Sequence, residues 1–371
     1  MGVKKKIWNA VRACVPIWSA ILFGLFFISL VVVFFVKRSS AFAGALHETV
    51  GVGIRAFFAT MTSWIPISLA EFILLASPIL VILLTVAVFR HVKRSYVQAI
   101  RFCVSLLSIV SVMYTLSAFG YEPGFYVESV DKKLDLQRED LSAEQLYETA
   151  MILVDEIEKD LPHVSFPQKT YSAMTFSYSD MNKKLNDAYD TLCDTYPDFQ
   201  RLYSNTKPVM LSEPWTYTHI SGMYTFFTGE ANVNVNYPDF IVVSSAAHEM
   251  AHQRGINRED EANFVAYLVC SMSDDPYVRY CGNLDVLNSV LGKLYAASPE
   301  LYMKVASRVP QEVRRENASY SEFFDKYRET VVSEVSTAVN DKFITSNNQP
   351  AGVKSYGLVV DLVAAYLLGN K

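Results

Sequence analysis

Cysteine is scarce in this chain, and the five cysteines that it has are scattered along its length. Cys14 and Cys103 lie in or beside apolar segments, which leaves Cys193, Cys270 and Cys281 for the rest of the chain. Domains that depend on disulfides have a higher density of cysteines, so a disulfide scaffold is excluded. One bridge between Cys270 and Cys281 stays open as an alternative, but small buried thiols are the favoured interpretation.

Charge is also in short supply, because only 19% of the 371 residues are charged, and the two signs are unevenly distributed. Residues 1–119 contain 11 Lys and Arg residues and 2 acids, a net charge of +9. Residues 120–371 contain 22 Lys and Arg residues and 36 acids, a net charge of −14. Binding to phosphates needs a clustered basic face, so the acidic part argues against nucleic acid as a partner.

Three stretches of the basic part lack charge over the length that a membrane helix needs, about 20 residues. Only Glu71 and Arg101 interrupt these stretches, which are approximately Pro16–Val36, Ile67–Phe89 and Gln98–Phe119. A Glu near one end and an Arg whose stem reaches the headgroups are compatible with a membrane helix. The sequence therefore predicts a membrane anchor of three transmembrane helices in residues 1–120, with the lipid bilayer as a partner.

Basic residues beside these stretches indicate their direction, because Lys and Arg are retained on the cytoplasmic side of a membrane. Four basic residues precede the first stretch, and a second basic group at residues 90–94 separates the second stretch from the third. The pattern predicts a cytoplasmic amino terminus and an extracytoplasmic position for everything after Phe119. The segment Ala41-Phe42-Ala43 resembles a signal-peptide cleavage site, but the preceding apolar run is too long, so an uncleaved anchor is favoured.

Residues 121–371 have the pattern of a soluble, mostly helical α+β domain, which is large enough for a single core. Ser142 and Gln145 have the spacing of a capping box that opens a helix to about Asp160. The last 11 apolar residues, Leu358–Leu368, contain Asp361, which favours a buried core helix over a fourth membrane span. Further helices are predicted at about Ser179–Cys193, Leu284–Ala297, Leu301–Val309, Ser321–Phe343 and Val353–Leu368.

The clearest strand signal is the alternation of apolar and polar residues over Ala231–Asn236, which Pro238 ends. Ala231, Val233 and Val235 are expected to face inward, while the Asn side chains and one backbone edge face outward. A second apolar run, Phe240–Val243, is predicted as a short β segment that leads directly into a helix. The domain is therefore expected to contain a small β-sheet.

The strongest chemical signal is His248-Glu249-Met250-Ala251-His252. Positions four apart share one face of a helix, so His248 and His252 can direct both imidazoles at one Zn²⁺ ion. Glu249 lies about 100° round the same turn. It is placed to take a proton from a metal-activated water. The pattern predicts a hydrolytic zinc site, and the alternative is two histidines on a solvated helix face.

The ends of this helix are also readable. Ser244 or Ser245 is expected to cap its start, and Gly255 to end it in a left-handed conformation. The next helix is expected to begin after Asn257 as its cap.

A catalytic zinc site needs a third protein ligand and an open position for water. Three acids, Glu259, Asp260 and Glu261, open the second helix. Glu259 shares a face with Asn263, so Glu259 is favoured as the ligand and Asn263 as a hydrogen-bonding partner behind it. Glu261 is the alternative ligand, and Asp260 is less favoured. The competing interpretation is that the three acids are stabilised by the dipole at the amino terminus of the helix and bind no metal.

These residues resemble zincin peptidases of the Glu-ligand class, in which a second helix contributes an acid followed four positions later by Asp or Asn. The run Glu259–Phe264 is similar to the second helix of the CAAX-processing and HtpX-like membrane peptidases and of the ImmA/IrrE-like group. The resemblance implies a zincin-like domain in which His248, His252 and Glu259 bind zinc and Glu249 is the catalytic base. Only six residues separate His252 from Glu259, far fewer than in those peptidases.

Over nearly its whole length, the chain more closely resembles a bacterial membrane family known as domain of unknown function 3810 (DUF3810). Besides the apolar stretches and the histidine motif, this resemblance rests on Thr228–Asn234 and on Gly352–Gly357. In zincin peptidases a strand above the metal pairs with the extended substrate, and Ala231–Asn236 resembles that strand.

Catalysis also needs a hydrogen-bond donor for the oxyanion that develops on the attacked carbonyl. Tyr356 is the favoured donor because it lies in the matched carboxy-terminal segment, ahead of His219 and Tyr224. A structural role is the competing interpretation for each of the three.

Together these features predict a membrane-anchored zinc metallopeptidase that hydrolyses peptide bonds of extracytoplasmic or surface proteins. Its expected cofactor is Zn²⁺, and its expected partner is a peptide or protein substrate. The alternative is a non-catalytic, zinc-stabilised membrane receptor or scaffold, which would not need Glu249 beside an open metal position. Proteolysis within the membrane is disfavoured, because Ile241–Asn257 is too polar for a membrane span.

Overall fold

The computed structural model describes residues 3–167 and 170–369. The chain is mostly helical with one small three-stranded sheet, as the sequence predicted. It divides into two compact units. The first contains the described residues up to Ile54, with Leu69–Val127 and Phe226–Thr228, and the second contains Arg55–Ser68, Glu128–Thr225 and the chain from Gly229 onward. Residues 55–68 thus group with the second unit, which was not predicted from the sequence.

Long apolar helices characterise the first part of the chain. Its helices are α1 (Val3–Cys14), α2 (Ile17–Val36), α3 (Ser40–Leu46), α4 (Val52–Ser63), α5 (Leu69–Arg94) and α6 (Tyr96–Gly120). By length and composition, α2, α5 and α6 are able to cross a membrane, and they cover the three stretches predicted from the sequence. Residues Gly352–Gly369 meet the same criterion, so several apolar helices associate this chain with a membrane.

Helices also dominate the second part of the chain. They are α7 (Val130–Lys133), α8 (Ala143–Asp160), α9 (Tyr178–Thr195), α10 (Ser212–Thr216), α11 (Asp239–Gln253), α12 (Glu259–Ser271), α13 (Pro276–Ala297), α14 (Pro299–Arg308), α15 (Gln311–Asp325), α16 (Val331–Ser346) and α17 (Val359–Gly369). A 3-10 turn at Gly352–Leu358 precedes α17. The apolar faces of α8, α9, α11, α12, α13 and α17 share one core. In α17, Val359, Val360, Leu362, Val363 and Ala364 are buried, whereas residues 365–368 are partly exposed.

Local capping explains which helix boundaries the sequence predicted well. At the start of α8, the Gln145 N–H donates to Ser142 Oγ at 3.2 Å, and the Ser142 N–H donates to Gln145 Oε1 at 2.9 Å, so the predicted capping box forms. By contrast, the single predicted helix over Ser321–Phe343 is wrong. The chain ends α15 at Asp325, and Thr330 opens α16 with its own capping box. This second cap was overlooked, and it outweighs the continuous apolar periodicity.

The sheet has the order β1-β3-β2, with strands β1 (Lys207–Pro208), β2 (Gly222–Thr225) and β3 (Glu230–Val233). Strand β3 is central, because it pairs in parallel with β1 and antiparallel with β2. The predicted strand Ala231–Asn236 therefore exists in shortened form, but the expectation of a free backbone edge is wrong.

The predicted orientation of the Asn side chains is wrong as well. Asn232 and Asn234 are buried, whereas Val235 is 40% exposed. Asn232 Nδ2 donates to Met223 O at 3.1 Å and Asn234 Nδ2 donates to Thr216 Oγ1 at 3.1 Å. Polar side chains are stable in a core when they are hydrogen-bonded, which apolar–polar alternation does not reveal.

Helix α11 begins earlier than predicted. The run Phe240–Val243 is helical, so the predicted β segment is wrong, and neither Ser244 nor Ser245 caps the helix. The helix instead starts directly after Pro238, and Ser244 Oγ donates back to Phe240 O at 3.2 Å. Short apolar runs do not distinguish a buried strand from a buried helical turn, and here tertiary burial decided the outcome.

All five cysteines, which lie within the described residues, are free thiols, and Cys193, Cys270 and Cys281 are buried. The alternative of a bridge between Cys270 and Cys281 is therefore wrong in this structure.

Candidate metal centre

The two histidines of α11 lie one turn apart, and their rings meet edge to face with centroids 4.5 Å apart. Glu259, the first residue of α12, reaches both of them. Its Oε2 atom lies 3.3 Å from His248 Nε2 and 3.4 Å from His252 Nε2. One ligand atom from each of the three residues lies within 4.8 Å of the others. The structure thus brings together the three residues that the sequence favoured.

The turn between the two helices explains how six residues suffice to bring Glu259 back to the histidines. Gly255 has a left-handed φ of +94°, and its N–H donates to His252 O at 2.9 Å. The Ile256 N–H donates to Ala251 O at 3.1 Å, which completes a Schellman motif. The chain reverses at once, and the Glu259 N–H donates to Gln349 Oε1 at 2.8 Å. Helix α12 is thereby fixed with its amino terminus at the histidines.

The other two acids of this helix point elsewhere. Asp260 accepts a hydrogen bond from Arg138 at 2.9 Å. Glu261 accepts from Arg258 at 2.6 Å and from the Val130 N–H at 3.2 Å. Neither carboxylate joins the histidines. The residue before α12 is Arg258, so the predicted cap at Asn257 is wrong.

The donor set and its spacing fit a Zn²⁺ ion. Tetrahedral zinc with bonds of 2.0–2.2 Å places neighbouring ligand atoms about 3.4 Å apart, close to the two separations from Glu259. Within the described residues, His248 Nδ1, Glu249 Oε2 and Glu259 Oε2 are buried without a hydrogen-bond partner. Buried polar atoms without partners are unfavourable, and a cation beside Glu259 would remove part of that cost.

His252 is held in the orientation that a metal ligand needs. Its Nδ1 lies 2.7 Å from Ile256 O. Because a carbonyl oxygen only accepts, Nδ1 carries the hydrogen and Nε2 remains directed at Glu259. Burial lowers the pKa of His252, but the neighbouring Glu259 outweighs burial and raises that pKa to about 9. Without metal, the site therefore holds an imidazolium beside a carboxylate.

Glu259 responds in the opposite direction. Burial raises the pKa of its carboxyl group, but the two histidines outweigh burial and lower that pKa far below its usual range. Asp285 on α13 is also near enough to His248 to interact electrostatically with it. Burial raises the pKa of Asp285 to about 6, against the opposing effect of His248.

Glu249 is buried against strand β2. The Tyr224 N–H donates a hydrogen bond to its carboxylate. A Cβ added at Gly222 would lie only 2.6 Å from Glu249 Oε1, so this close approach of the backbone requires glycine. Burial raises the pKa of Glu249, while the two histidines lower it. A proton-accepting carboxylate with a raised pKa is suited to general base catalysis near neutral pH.

The strand at Glu249 is therefore β2 and not the strand predicted from the sequence. Within the described residues, β2 pairs with β3 alone and so forms an edge of the sheet. Gly222 was not recognised, although an isolated glycine in a strand is a signal of close backbone approach. Gln349 and Asp285 were missed because nothing in the local sequence links them to α11 or α12.

Tyr356 lies beside the three candidate ligands. Its hydroxyl is close enough to interact with the side chains of Glu259 and Asn340, and its ring centroid lies 6.4 Å from that of His248. Burial and the neighbouring Glu259 raise the pKa of Tyr356, so its hydroxyl stays protonated. Asn263 Nδ2 donates to Tyr356 O at 3.4 Å, so Asn263 supports the Tyr356 backbone instead of a ligand side chain.

The other two oxyanion candidates are engaged elsewhere. His219 Nε2 lies 2.7 Å from Tyr327 O, and its ring packs against Phe324 with centroids 4.8 Å apart. The Tyr224 side chain is buried and interacts with Arg55. Of the three, Tyr356 alone places its hydroxyl at Glu259.

A surface cavity of about 340 Å³ is lined mainly by residues of α13 and α15. It adjoins α11 through Tyr320, whose ring packs against Phe240 with centroids 5.7 Å apart. It adjoins the segment before β2 through the contact between Phe324 and His219. The lining residues are Asn288, Asn317, Tyr320, Ser321, Phe324 and Arg328.

A family model described as a protein of unknown function (DUF3810) matches residues 48–364. The match includes both helices of the candidate metal centre and the turn that carries Tyr356. No curated protein and no solved structure matches the chain.

Proposed function

The chain belongs to the DUF3810 family. We propose that it is a membrane-anchored zinc metallopeptidase. The observation that carries the proposal is the meeting of His248, His252 and Glu259, with the Glu249 carboxylate buried beside them. Three protein ligands with a neighbouring acid are typical of catalytic zinc sites, whereas purely structural sites more often use four ligands that include cysteine.

His248, His252 and Glu259 would hold the ion. Zinc would supply a Lewis acid that polarises the peptide carbonyl and activates water for attack. Glu249 takes the proton of the attacking water and passes it to the nitrogen of the leaving amine. The raised pKa of Glu249 suits it to accept this proton, and the hydrogen bond from the Tyr224 N–H keeps its carboxylate oriented. The Tyr356 hydroxyl, which stays protonated, donates a hydrogen bond to the oxygen on which negative charge develops.

Strand β2 would hold the substrate. Within the described residues β2 has a sheet partner on one side only, and its Gly222 lies against Glu249, so an extended peptide held along this strand would bring its backbone to the metal centre. The cavity lined by Tyr320 and Phe324 adjoins His219, which precedes β2 in the chain, and is large enough for one substrate side chain. The substrate is therefore an unfolded segment or an exposed loop of a protein.

The side of the membrane follows from the charge distribution. Basic residues before α2 and at the carboxyl end of α5 favour a cytoplasmic position for those ends. Three crossings would then place the metal centre outside the cytoplasm, where its substrates would be exported or surface proteins. Labelling of single cysteines at exposed positions such as Tyr203 in intact cells tests this placement, and protection from an impermeant reagent would reject it.

The decisive experiment compares purified wild type with Glu249→Gln and with the exposed control Glu300→Gln. We expect about one zinc per chain in all three proteins. We expect hydrolysis of a fluorogenic peptide library to fall by about 10² to 10⁴ in Glu249→Gln alone, the range for loss of a general base. Wild-type protein without stoichiometric zinc would reject the proposal.

The second candidate is a zinc-stabilised receptor or scaffold without catalysis. His252 and Glu259 are buried and the His248 side chain is 12% exposed, which favours a role of the metal in stability as well. In that case, zinc removal would unfold the second unit, while Glu249→Gln would leave the cellular phenotype and all peptides unchanged.

A further inference from the structure

Residues 55–68 separate two long apolar helices in the sequence, yet they belong to the compact unit that contains the metal centre. Two buried cations, Arg55 within the segment and Lys207 outside it, attach residues 55–68 to that unit. Arg55 is 2% exposed and donates to Gln200 Oε1 at 2.9 Å. Lys207, on β1, donates to Thr62 O at 2.9 Å and pairs with Glu230 at 2.5 Å. Because burial of an unpartnered charge costs several kcal/mol, these contacts fix the segment firmly.

Gly229 is the point at which this segment meets the sheet. It has a left-handed φ of +69°, and a Cβ at this position would lie 2.5 Å from Ala59 N and 2.7 Å from Phe58 C. These atoms are backbone atoms, so no side-chain rotation relieves the overlap. The backbone of residues 58 and 59 therefore lies directly against the backbone of Gly229.

The carbonyl oxygen of Gly229 contacts α11. Gln253 Nε2, one residue after the ligand His252, donates to Gly229 O at 2.5 Å. The Gly229 N–H donates to Thr225 O at 2.7 Å and so closes the connection from β2 to β3. Gly229 thus contacts the backbone of residues 58 and 59 and, through its carbonyl oxygen, Gln253 of α11. We call these two contacts of Gly229 the clamp.

The clamp determines where β2 lies. As an edge strand within the described residues, β2 has a sheet partner on one side only, and its last residue, Thr225, is tied to Gly229. The preceding residue, Tyr224, provides the N–H that donates to Glu249. We propose that residues 55–68, acting through Gly229, are a positioning support that keeps the β2 backbone against Glu249. The catalytic consequence rests on the proposed function, but the support itself does not.

Hydrogen exchange on the full-length protein in detergent tests the support directly. In Gly229→Ala, the added Cβ must displace either the 55–68 segment or the turn. We expect amide exchange of residues 222–225 to become at least about tenfold faster, while exchange in α13 stays as in wild type. The matched control is Gly292→Ala in α13, where an added Cβ meets no described heavy atom within 4 Å outside the helix backbone. This control is expected to leave exchange of residues 222–225 unchanged.

Gln253→Met provides a second test from the other side of the clamp, because it removes the donor to Gly229 O and keeps the side-chain length. It decides the matter if Gly229→Ala does not fold. We expect faster exchange at residues 222–225 and a lower kcat for peptide hydrolysis, with zinc content and KM close to those of wild type. Unchanged exchange in both variants would overturn the inference. Faster exchange in a protein whose wild type hydrolyses no peptide would leave the support standing and remove the proposed function.

Discussion

The two compact units place their apolar residues in opposite ways. In α5, Leu74, Ile79 and Phe89 are 70%, 64% and 65% exposed, whereas Phe264 and Leu268 of α12 are fully buried. Soluble monomers rarely expose an apolar surface as large as that of α5, so a different solvent must cover it. A lipid bilayer is such a solvent. In the second unit, the apolar side chains are instead covered by one another in the protein core. Apolar side chains in the two units therefore face two different environments.

The same contrast holds for charge. In the first unit, the described ion pair between Lys37 and Glu122 is partly exposed. In the second unit, Glu249, His252 and Glu259 are each at most 7% exposed. Buried ionisable groups are unfavourable unless other groups compensate them, and their concentration around one centre is typical of functional sites. Burial of these ionisable groups is unfavourable by itself, so the packing of the rest of the second unit must compensate for it.

The largest expected difference is in the free energy of unfolding, when a leucine is replaced by alanine in each of the two environments. Leu268→Ala in α12 leaves a cavity in the protein core and should lower the free energy of unfolding by about 2 to 5 kcal/mol. Leu80→Ala in α5 truncates a side chain that is 51% exposed and should change the free energy by less than about 1 kcal/mol. Denaturant titration in detergent, followed by fluorescence, measures both. Equal losses would show that the apolar surface of α5 is covered by protein.

Acid should weaken metal binding at the cluster of buried charges. Without metal, the pKa of His252 is raised to about 9, so a proton must leave before Nε2 can bind zinc. The protonated form dominates below that pH, and zinc affinity should fall about tenfold for each unit of pH lowered below it. Competition with a chromophoric chelator between pH 6 and 9 measures this slope. A flat profile would mean that His252 is already neutral in the metal-free protein.

A smaller effect is expected at Asp285. Burial raises its pKa from 3.8 to about 6, so the folded metal-free state binds this proton more tightly than the unfolded state. The contribution of Asp285 to stability is therefore full below about pH 4 and is lost as pH rises through about 6. Asp285→Asn should be more stable than wild type at pH 7.5, by about 1 to 3 kcal/mol, and no more stable at pH 4. Urea denaturation of chelator-treated protein at the two pH values checks the sign, and an equal difference at both would contradict it.

The smallest effect is expected where a helix of the second unit has open space. Gly292→Ala in α13 introduces a Cβ with no described neighbour within 4 Å outside the helix backbone, and it should raise stability by about 0.5 to 1 kcal/mol. The matched substitution, Gly222→Ala, places its Cβ on Glu249 and should instead reduce activity. A loss of stability in Gly292→Ala, measured by thermal denaturation, would show that α13 is packed on this side.

Local geometry explains the parts of the site that were predictable. His248 and His252 share a face because of the helical repeat alone, and α8 starts at Ser142 because its capping box uses only neighbouring residues. The choice of Glu259 followed from its position on the next helix, but the contacts of Asp260 with Arg138 and of Glu261 with the Val130 N–H, which hold these acids away from the histidines, were not predictable. Partners distant in sequence left no local signal.

By itself, the sequence determined the long apolar stretches, the histidine pair and the capped helices, because each depends on residues within a few turns of one another. Only the tertiary structure decided that β2 lies against Glu249, that Tyr356 reaches Glu259, and that residues 55–68 join the second unit. These arrangements depend on which buried groups find partners across the fold. The free energy of such contacts is distributed over segments far apart in the chain, so no single segment encodes them.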